Sequence, residues 1–451
     1  MGGPPPPLSA AGTDHSVSIL RGMATPASAP SSHGSSVTAD IDYADLYQRW
    51  ERGNWQATAI DFTQDRIDWR EKLSEEQRRS ALWFYTLFFH GEDAVTDGLS
   101  PYIEAAPLEE QKYFIATQQV DEARHAVFFK RFMDEVVGLG DGTMAGGMAA
   151  TEGLLTWGHR RVFGYLEDVA HQLHHDHSTE MLCRAITLYH VIIEGTLAQP
   201  GQHFMETYLE QMDVLPGFRE GIRNVALDEQ RHIAFGVKLL ADEYARDPEL
   251  VTRAVTDVIR TVGPWTTGLA APPNWDDSYF TCFGFTHDEL ALEGTRSLEF
   301  RLKAIGLDLD SLGRRFPLPM DLPLEERAVR GRRMLEANLI GPDRPAVRDP
   351  EAIAIMFDAI RRQADPSAVR PGTVIQWDFT DAEPWYLTLM NGHTSVAQGR
   401  PPHADLRLEM AFDDWVDLFA ERADARRLLL RRRLRPRGDL RLFLRLPKVF
   451  G

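Results

Sequence analysis

With 451 residues, 43% of them hydrophobic and 26% charged, the chain has the makeup of a soluble globular protein of about two or three domains. A formal net charge of -18 argues against nucleic acid as its main partner, and no apolar run is read as approaching the roughly 20 residues of a membrane span. Two cysteines, Cys183 and Cys282, exclude a disulfide framework or a cysteine metal motif and fit a reducing, cytoplasmic setting.

The first stretch, 1–39, is rich in Pro, Gly, Ala and Ser and lacks a hydrophobic h-region, which predicts a disordered tail rather than a signal peptide. Regular patterning starts near Ile41-Asp42-Tyr43. Long helices are predicted over 74–100, 107–138, 178–211 and 215–246, forming a four-helix bundle in a domain over 40–310. Further helices near 151–173, 246–262 and 284–305 are expected to pack around it. Cys183 falls on the third core helix as a small buried hydrophobe. Across the connector, 311–344, Pro317, Pro319, Pro323 and Pro342 interrupt the pattern around one short helix.

Beyond the connector the texture changes to a smaller α+β domain over 345–451. A helix over 350–364 precedes strands at 373–379, 385–390 and 404–410, with Asn391-Gly392 as a hairpin turn. A helix over 412–419 follows. The alternating Leu440-Arg441-Leu442-Phe443-Leu444-Arg445-Leu446 reads as a half-buried strand. The arginines of 426–445 are read as a solvated face, with an anionic membrane surface as the alternative. The fold class is therefore mainly α, a helical bundle followed by an α+β domain.

The chemistry lies in a repeat. Asp121-Glu122-Ala123-Arg124-His125 recurs as Asp228-Glu229-Gln230-Arg231-His232, and a lone glutamate in an apolar run, Glu92 or Glu194, precedes each copy. In a helix the Glu and His of E-x-x-H share one face and reach one ion. Turns near Pro107 and at Asp213-Val214-Leu215-Pro216-Gly217 lie about midway between each glutamate pair, so hairpins bring the carboxylates to one height. A buried unpaired carboxylate costs several kcal/mol, whereas two divalent cations neutralise four of them and two imidazoles complete the coordination. The competing reading makes Glu122 and Glu229 surface residues paired with Arg124 and Arg231; duplication of the whole set argues against it. The candidate ligands are Glu92, Glu122, His125, Glu194, Glu229 and His232, and a set without cysteine favours iron or manganese over structural zinc.

Other residues are read more plainly. Asp228 is placed either as an acceptor that orients a ligand histidine or as a solvent-facing residue. His90 and His190 have the wrong offset to join Glu92 or Glu194 at one ion and are assigned to the core or its margin. His171, His174, His175 and His177 suit an exposed connection, and Pro200-Gly201 a helix kink.

Over residues 40 to about 310 this pattern resembles the ribonucleotide reductase small-subunit superfamily, whose fold is ferritin-like. The segments Arg52-Gly53-Asn54-Trp55, Ile60-Asp61-Phe62, Asp68-Trp69 and Glu194-Gly195-Thr196-Leu197-Ala198 add to the likeness. Phe129 occupies the place of the radical-storing tyrosine, and Glu92 stands where conventional di-iron subunits have aspartate. Both departures also occur in the manganese/iron relatives. Val95 and Tyr189 match the pair that the superfamily's ligand-binding oxidases join by an ether cross-link when the metal centre reduces molecular oxygen. The resemblance implies manganese held by Glu92, Glu122 and His125, and iron held by Glu194, Glu229 and His232, with di-iron as an alternative and Glu122 as a candidate bridge. It also implies a long-chain fatty acid ligand and a homodimer.

Residues 345–451 resemble the sterol carrier protein type-two domain, on Gly372-Thr373-Val374-Ile375-Gln376-Trp377, Trp385-Tyr386-Leu387-Thr388-Leu389, Val396-Ala397-Gln398-Gly399 and Arg437-Gly438-Asp439. Such a domain implies an apolar lipid cavity. The expected function is an oxygen-activating oxidoreductase acting on a lipid-like ligand. The alternatives are a radical-generating reductase subunit without its radical tyrosine, or a non-enzymatic lipid carrier with structural metals.

Overall fold

A computed structural model describes residues 41–312, 322–420 and 422–450; the expected tail over 1–39 lies outside the described residues, as does part of the connector. The N-terminal part is helical. Helix α1 (Tyr43–Gly53) starts where Asp42 accepts from the Ala44 N–H at 3.1 Å, and α2 (Thr63–Glu71) follows a short 3-10 turn. A capping box between Ser74 and Gln77 opens α3 (Glu75–Gly98). After the short α4 (Ser100–Ala105), α5 (Glu109–Phe132) packs along α3 and ends in a π turn, Met133–Val137. Then come α6 (Met144–Thr151) and α7 (Trp157–His175); of the four histidines expected in an exposed connection, His171, His174 and His175 lie instead on the exposed end of α7 and only His177 follows it.

The third core helix is continuous from Thr179 to Met212 but not uniform. It is α-helical over α8 (Thr179–Ile186) and α9 (Gln199–Met212) and π-helical between them, Thr187–Ala198. The expected kink at Pro200-Gly201 thus adjoins a wider π segment that spans Glu194. Contrary to the sequence reading, this helix is long and apolar enough to cross a membrane by length and composition. Its apolar stretch is 78% buried inside the protein, as befits the core helix of a bundle.

Helix α10 (Pro216–Arg246) is held at its start by two buried carboxylates of α2. Asp68 accepts from the Leu215 N–H at 3.0 Å, and Asp65 from the Gly217 and Phe218 N–H groups at 2.9 and 2.7 Å. Gly217 is required there, since a Cβ would lie 2.4 Å from the Asp61 carbonyl oxygen. This capping fixes the height of α10, and so of Glu229 and His232. Helices α11 (Pro248–Thr267), the short α12 (Ser278–Thr281) and α13 (His287–Ile305) close the bundle. Beyond α14 (Leu309–Leu312), α15 (Leu324–Glu336) packs on α13 and then on α16 (Pro350–Gln363).

The C-terminal part is a five-stranded mixed sheet with helices. Strands β1 (Thr373–Phe379), β2 (Trp385–Met390), β3 (His393–Gln398), β4 (Leu406–Met410) and β5 (Arg435–Gly438) lie in the order β3-β2-β1-β4-β5, and β1 with β4 is the parallel pair. Gly392, at φ 67°, turns the β2–β3 hairpin. Helices α17 (Phe412–Phe419), α18 (Ala425–Leu430) and α19 (Leu440–Phe450) complete it.

Helix α19 corrects the strand expected over 440–446. Asp439 accepts from the Arg441 and Leu442 N–H groups at 2.9 and 3.2 Å, which starts a helix. The leucines then divide by helical rather than strand period: Leu442 and Val449 are buried while Leu440 and Leu444 are exposed. The edge is taken instead by β5, whose Arg435 and Arg437 reach Glu409 of β4 at 3.3 and 2.9 Å.

A candidate dinuclear metal centre

Four helical stretches deliver six side chains to one buried point. Glu92 comes from α3, Glu122 and His125 from α5, Glu194 from the π segment, and Glu229 and His232 from α10; none is more than 5% exposed. Their ligand atoms fall into two overlapping groups, Glu92, Glu122, His125 and Glu229, and Glu122, Glu194, Glu229 and His232, each with all atoms within 4.8 Å of one another. Glu122 and Glu229 each belong to both groups; the sequence reading offered only Glu122 as a candidate bridge. The alternative of surface glutamates paired with arginine is overturned, because Arg124 and Arg231 turn to Asp121 and Asp228 instead.

Both imidazoles point Nδ1 inward. His125 Nδ1 lies 3.2 Å from Glu122 and 3.3 Å from Glu92, and His232 Nδ1 lies 3.1 Å from Glu122 and 3.3 Å from Glu194. The outer nitrogens are held crosswise. His125 Nε2 meets Asp228 at 3.0 Å, and His232 Nε2 meets Asp121 at 3.1 Å. Each aspartate also accepts an indole N–H at 2.8 Å, Trp55 on Asp228 and Trp50 on Asp121. Asp228 is therefore buried, not solvent-facing. A carboxylate on the outer nitrogen fixes the tautomer that leaves the Nδ1 lone pair for a metal.

The charges are those of a site built for cations. Burial pushes the Glu92 carboxyl up to about 8, and raises Glu194 and Glu229 as well. Burial also opposes ionisation of Glu122, but His125 and His232 outweigh it and hold that carboxyl well below its usual range. Burial disfavours the charged imidazoles, yet Asp228, Glu122 and Glu92 hold His125 well above an ordinary histidine, and Asp121 with three glutamates does the same for His232. One oxygen each of Glu194 and Glu229, and Nδ1 of His232, are buried without a hydrogen-bond partner. Such lone pairs are costly in a core and are what two divalent ions would occupy, so the residues fit a dinuclear metal cluster.

Gln118, one helical turn before Glu122, ties the neighbourhood together. Its amide donates to Glu194 at 2.9 Å and to the Tyr189 hydroxyl at 3.0 Å, while its oxygen is 3.1 Å from His190 Nε2. Tyr189 in turn donates to Glu122 at 2.6 Å. His190 is neutral, pushed down to about 3 by burial, and His90 is pushed down to about 4 and meets Thr151 at 2.9 Å. Neither belongs to the ligand groups. Asp121 and Gln118 were missed from sequence, although Asp121 holds the same place in the first repeat as Asp228 in the second.

A cavity of about 240 Å³ opens from Glu92, Glu122, Glu194 and Glu229. Val95 and Tyr189 line it beside the glutamates, and its walls are largely apolar. Phe129 is fully buried and stacks on Phe88.

With this geometry in view, comparison with known proteins gives consistent answers. The family model for the ribonucleotide reductase small chain matches residues 37–262, and that for the SCP-2 sterol transfer family matches residues 357–451. The chain is similar to an R2-like ligand-binding oxidase from Sulfolobus acidocaldarius, at 27% identity over 58% of this chain and 89% of that one, with a TM-score of 0.50. A variant R2-like ligand-binding oxidase with an aerobically reconstituted Mn/Fe cofactor shares 26% identity over 59% of this chain and 94% of its own, with a TM-score of 0.52. Another, with the cofactor reconstituted anaerobically, shares 25% over 60% and 98%, also at 0.52. The duplicated ligand set, the bundle that carries it and the sheet domain that follows have one common explanation: this chain belongs to the ribonucleotide reductase small-chain family and bears an SCP-2 sterol transfer domain.

Proposed function

We propose that the protein is a manganese/iron oxidase that activates dioxygen, joins Val95 to Tyr189 by an ether bond, and binds or oxidises a long-chain fatty acid. The observation that carries this reading is the meeting of two overlapping four-residue ligand groups with an apolar cavity that also holds Val95 and Tyr189. Manganese would be held by Glu92, Glu122 and His125, and iron by Glu194, Glu229 and His232; Glu122 and Glu229 belong to both ligand groups. When bound, the metal pair supplies the electron transfer that reduces dioxygen.

The chain's own residues do the rest. Asp228 and Asp121 keep the imidazole Nδ1 atoms facing inward. Gln118 holds the Tyr189 oxygen beside the cluster, and Glu122 orients the hydroxyl by accepting its hydrogen bond. Burial holds the Tyr189 hydroxyl well above its ordinary pKa, and the nearby glutamates add to it, so the phenol keeps its proton until the coupling step. In that step the Val95 Cβ–H and Tyr189 O–H bonds break and one C–O bond forms; the two electrons and two protons released pass to dioxygen, which is thereby reduced to hydrogen peroxide. The apolar walls keep water from competing and suit an acyl chain whose carboxylate faces the cations.

Mass spectrometry of peptides after metal loading in air tests this. The expected product is one linked species carrying Val95 and Tyr189, two hydrogens lighter than the separate peptides. Separate peptides after full loading would remove the cross-linking oxidase and leave a radical-generating reductase subunit or a metal-stabilised lipid carrier.

A further inference from the structure

The cavity that starts at the metal ligands does not end inside the bundle. Its lining also includes Arg327, Ala328, Gly331 and Met334, which follow one another at helical spacing along one face of α15, and then Ile340, and α15 packs on α11 and α13 rather than on the helices that carry the ligands. Helix α15 lies outside both family matches, after residue 262 and before residue 357. Met334 and Ile340 are buried, and both belong to the apolar core built by the C-terminal sheet and its helices. The same helix is pinned to that domain by charge. Arg330 donates to Asp358 of α16 at 2.6 Å, where Arg361 and Arg362 also converge.

We infer that α15 is the end wall of the ligand cavity and sets the length of acyl chain the metal centre accepts, so that the sterol-carrier domain fixes the specificity of the oxidase through this helix. This rests on the fatty-acid reading above. A carboxylate at the cations fixes one end of the ligand, and the methyl end then runs toward Ala328 and Met334. A chain too long by one methylene must leave it unburied or push α15 away. Each excluded methylene weakens binding about fourfold.

Binding of straight-chain saturated fatty acids of graded length to the full-length, metal-loaded protein tests the inference, with metal content and melting temperature followed in parallel. Ala328→Leu adds bulk at the wall and is expected to shift the best-bound acid shorter by about two or three methylenes. Met334→Ala removes bulk and is expected to shift it longer, so the pair gives opposite signs and either variant alone suffices if the other does not fold. An unchanged length optimum in the folded variants overturns the end-wall role. Binding by the unaltered protein with no length optimum also overturns it while leaving the fatty-acid reading intact. Failure of that protein to bind any of the acids overturns both.

Discussion

His125 leans on Asp228, 3.0 Å away and on another helix, rather than on Asp121 of its own motif. His232 does the converse with Asp121. The two repeats thus complete each other, and Arg124 and Arg231 each bridge both aspartates. Asp228→Asn is expected to weaken metal binding about 10- to 100-fold, because the amide offers the ring a donor as readily as an acceptor. Competition titration with a chelator measures this. Asp121→Asn should do the same at the other ion, and equal effects of both variants on both ions would contradict the crosswise pairing.

Gln118 is the link between Tyr189 and the cluster. Gln118→Leu removes a donor from two buried acceptors, Glu194 and the Tyr189 oxygen, at about 1–3 kcal/mol. The expected result is a lower melting temperature and a reduced yield of the Val95–Tyr189 linked peptide at unchanged metal content. Undiminished linkage would show that the tyrosine needs no such positioning.

The metal-free protein should grow less stable as pH rises. Glu92, at about 8 when folded against an ordinary 4.5, binds its proton more tightly folded than unfolded, and Glu194, Glu229, His125 and His232 are shifted the same way. The buried His90, His159 and His190, pushed down to about 4, 3 and 3, work the other way below about pH 6.5. The folded state therefore holds the excess protons mainly between about pH 6.5 and 8, and unfolding free energy falls across that window. Metal loading displaces those protons, so the gain in melting temperature on loading should increase toward pH 8. A gain that shrinks with rising pH would contradict the assignment.

Gly236 of α10 lies against His190. A Cβ at this position would sit 2.2 Å from the His190 Cβ, so Gly236→Ala must displace the imidazole that faces Gln118. Overpacking of this kind costs about 1–3 kcal/mol. Thermal unfolding should register that loss.

Asp439 tests the helix that replaced an expected strand. Asp439→Ala removes the acceptor for two backbone N–H groups at the start of α19 and should cost about 1 kcal/mol. A neutral outcome in denaturant unfolding would mean the cap contributes nothing.

Much of this was legible in the residues. The ligand types, their duplication and the helical period of the long core segments are local properties of the chain, because E-x-x-H and an apolar stripe depend only on 3.6 residues per turn. The strand-like alternation at 440–446 misled because leucines two apart fit either period until the cap at Asp439 and the edge strand β5 decide between them.

By itself the sequence determined that six acids and histidines on helices would seek cations, since no core can bury four carboxylates uncompensated. Only the tertiary structure decided that Glu229 as well as Glu122 belongs to both groups, that each aspartate serves the other repeat's histidine, and that a π segment carries Glu194. It also decided that α15 reaches the cavity. These depend on how helices far apart in the chain dock against one another, and side-chain spacing along one helix carries no information about the rotation of its neighbour.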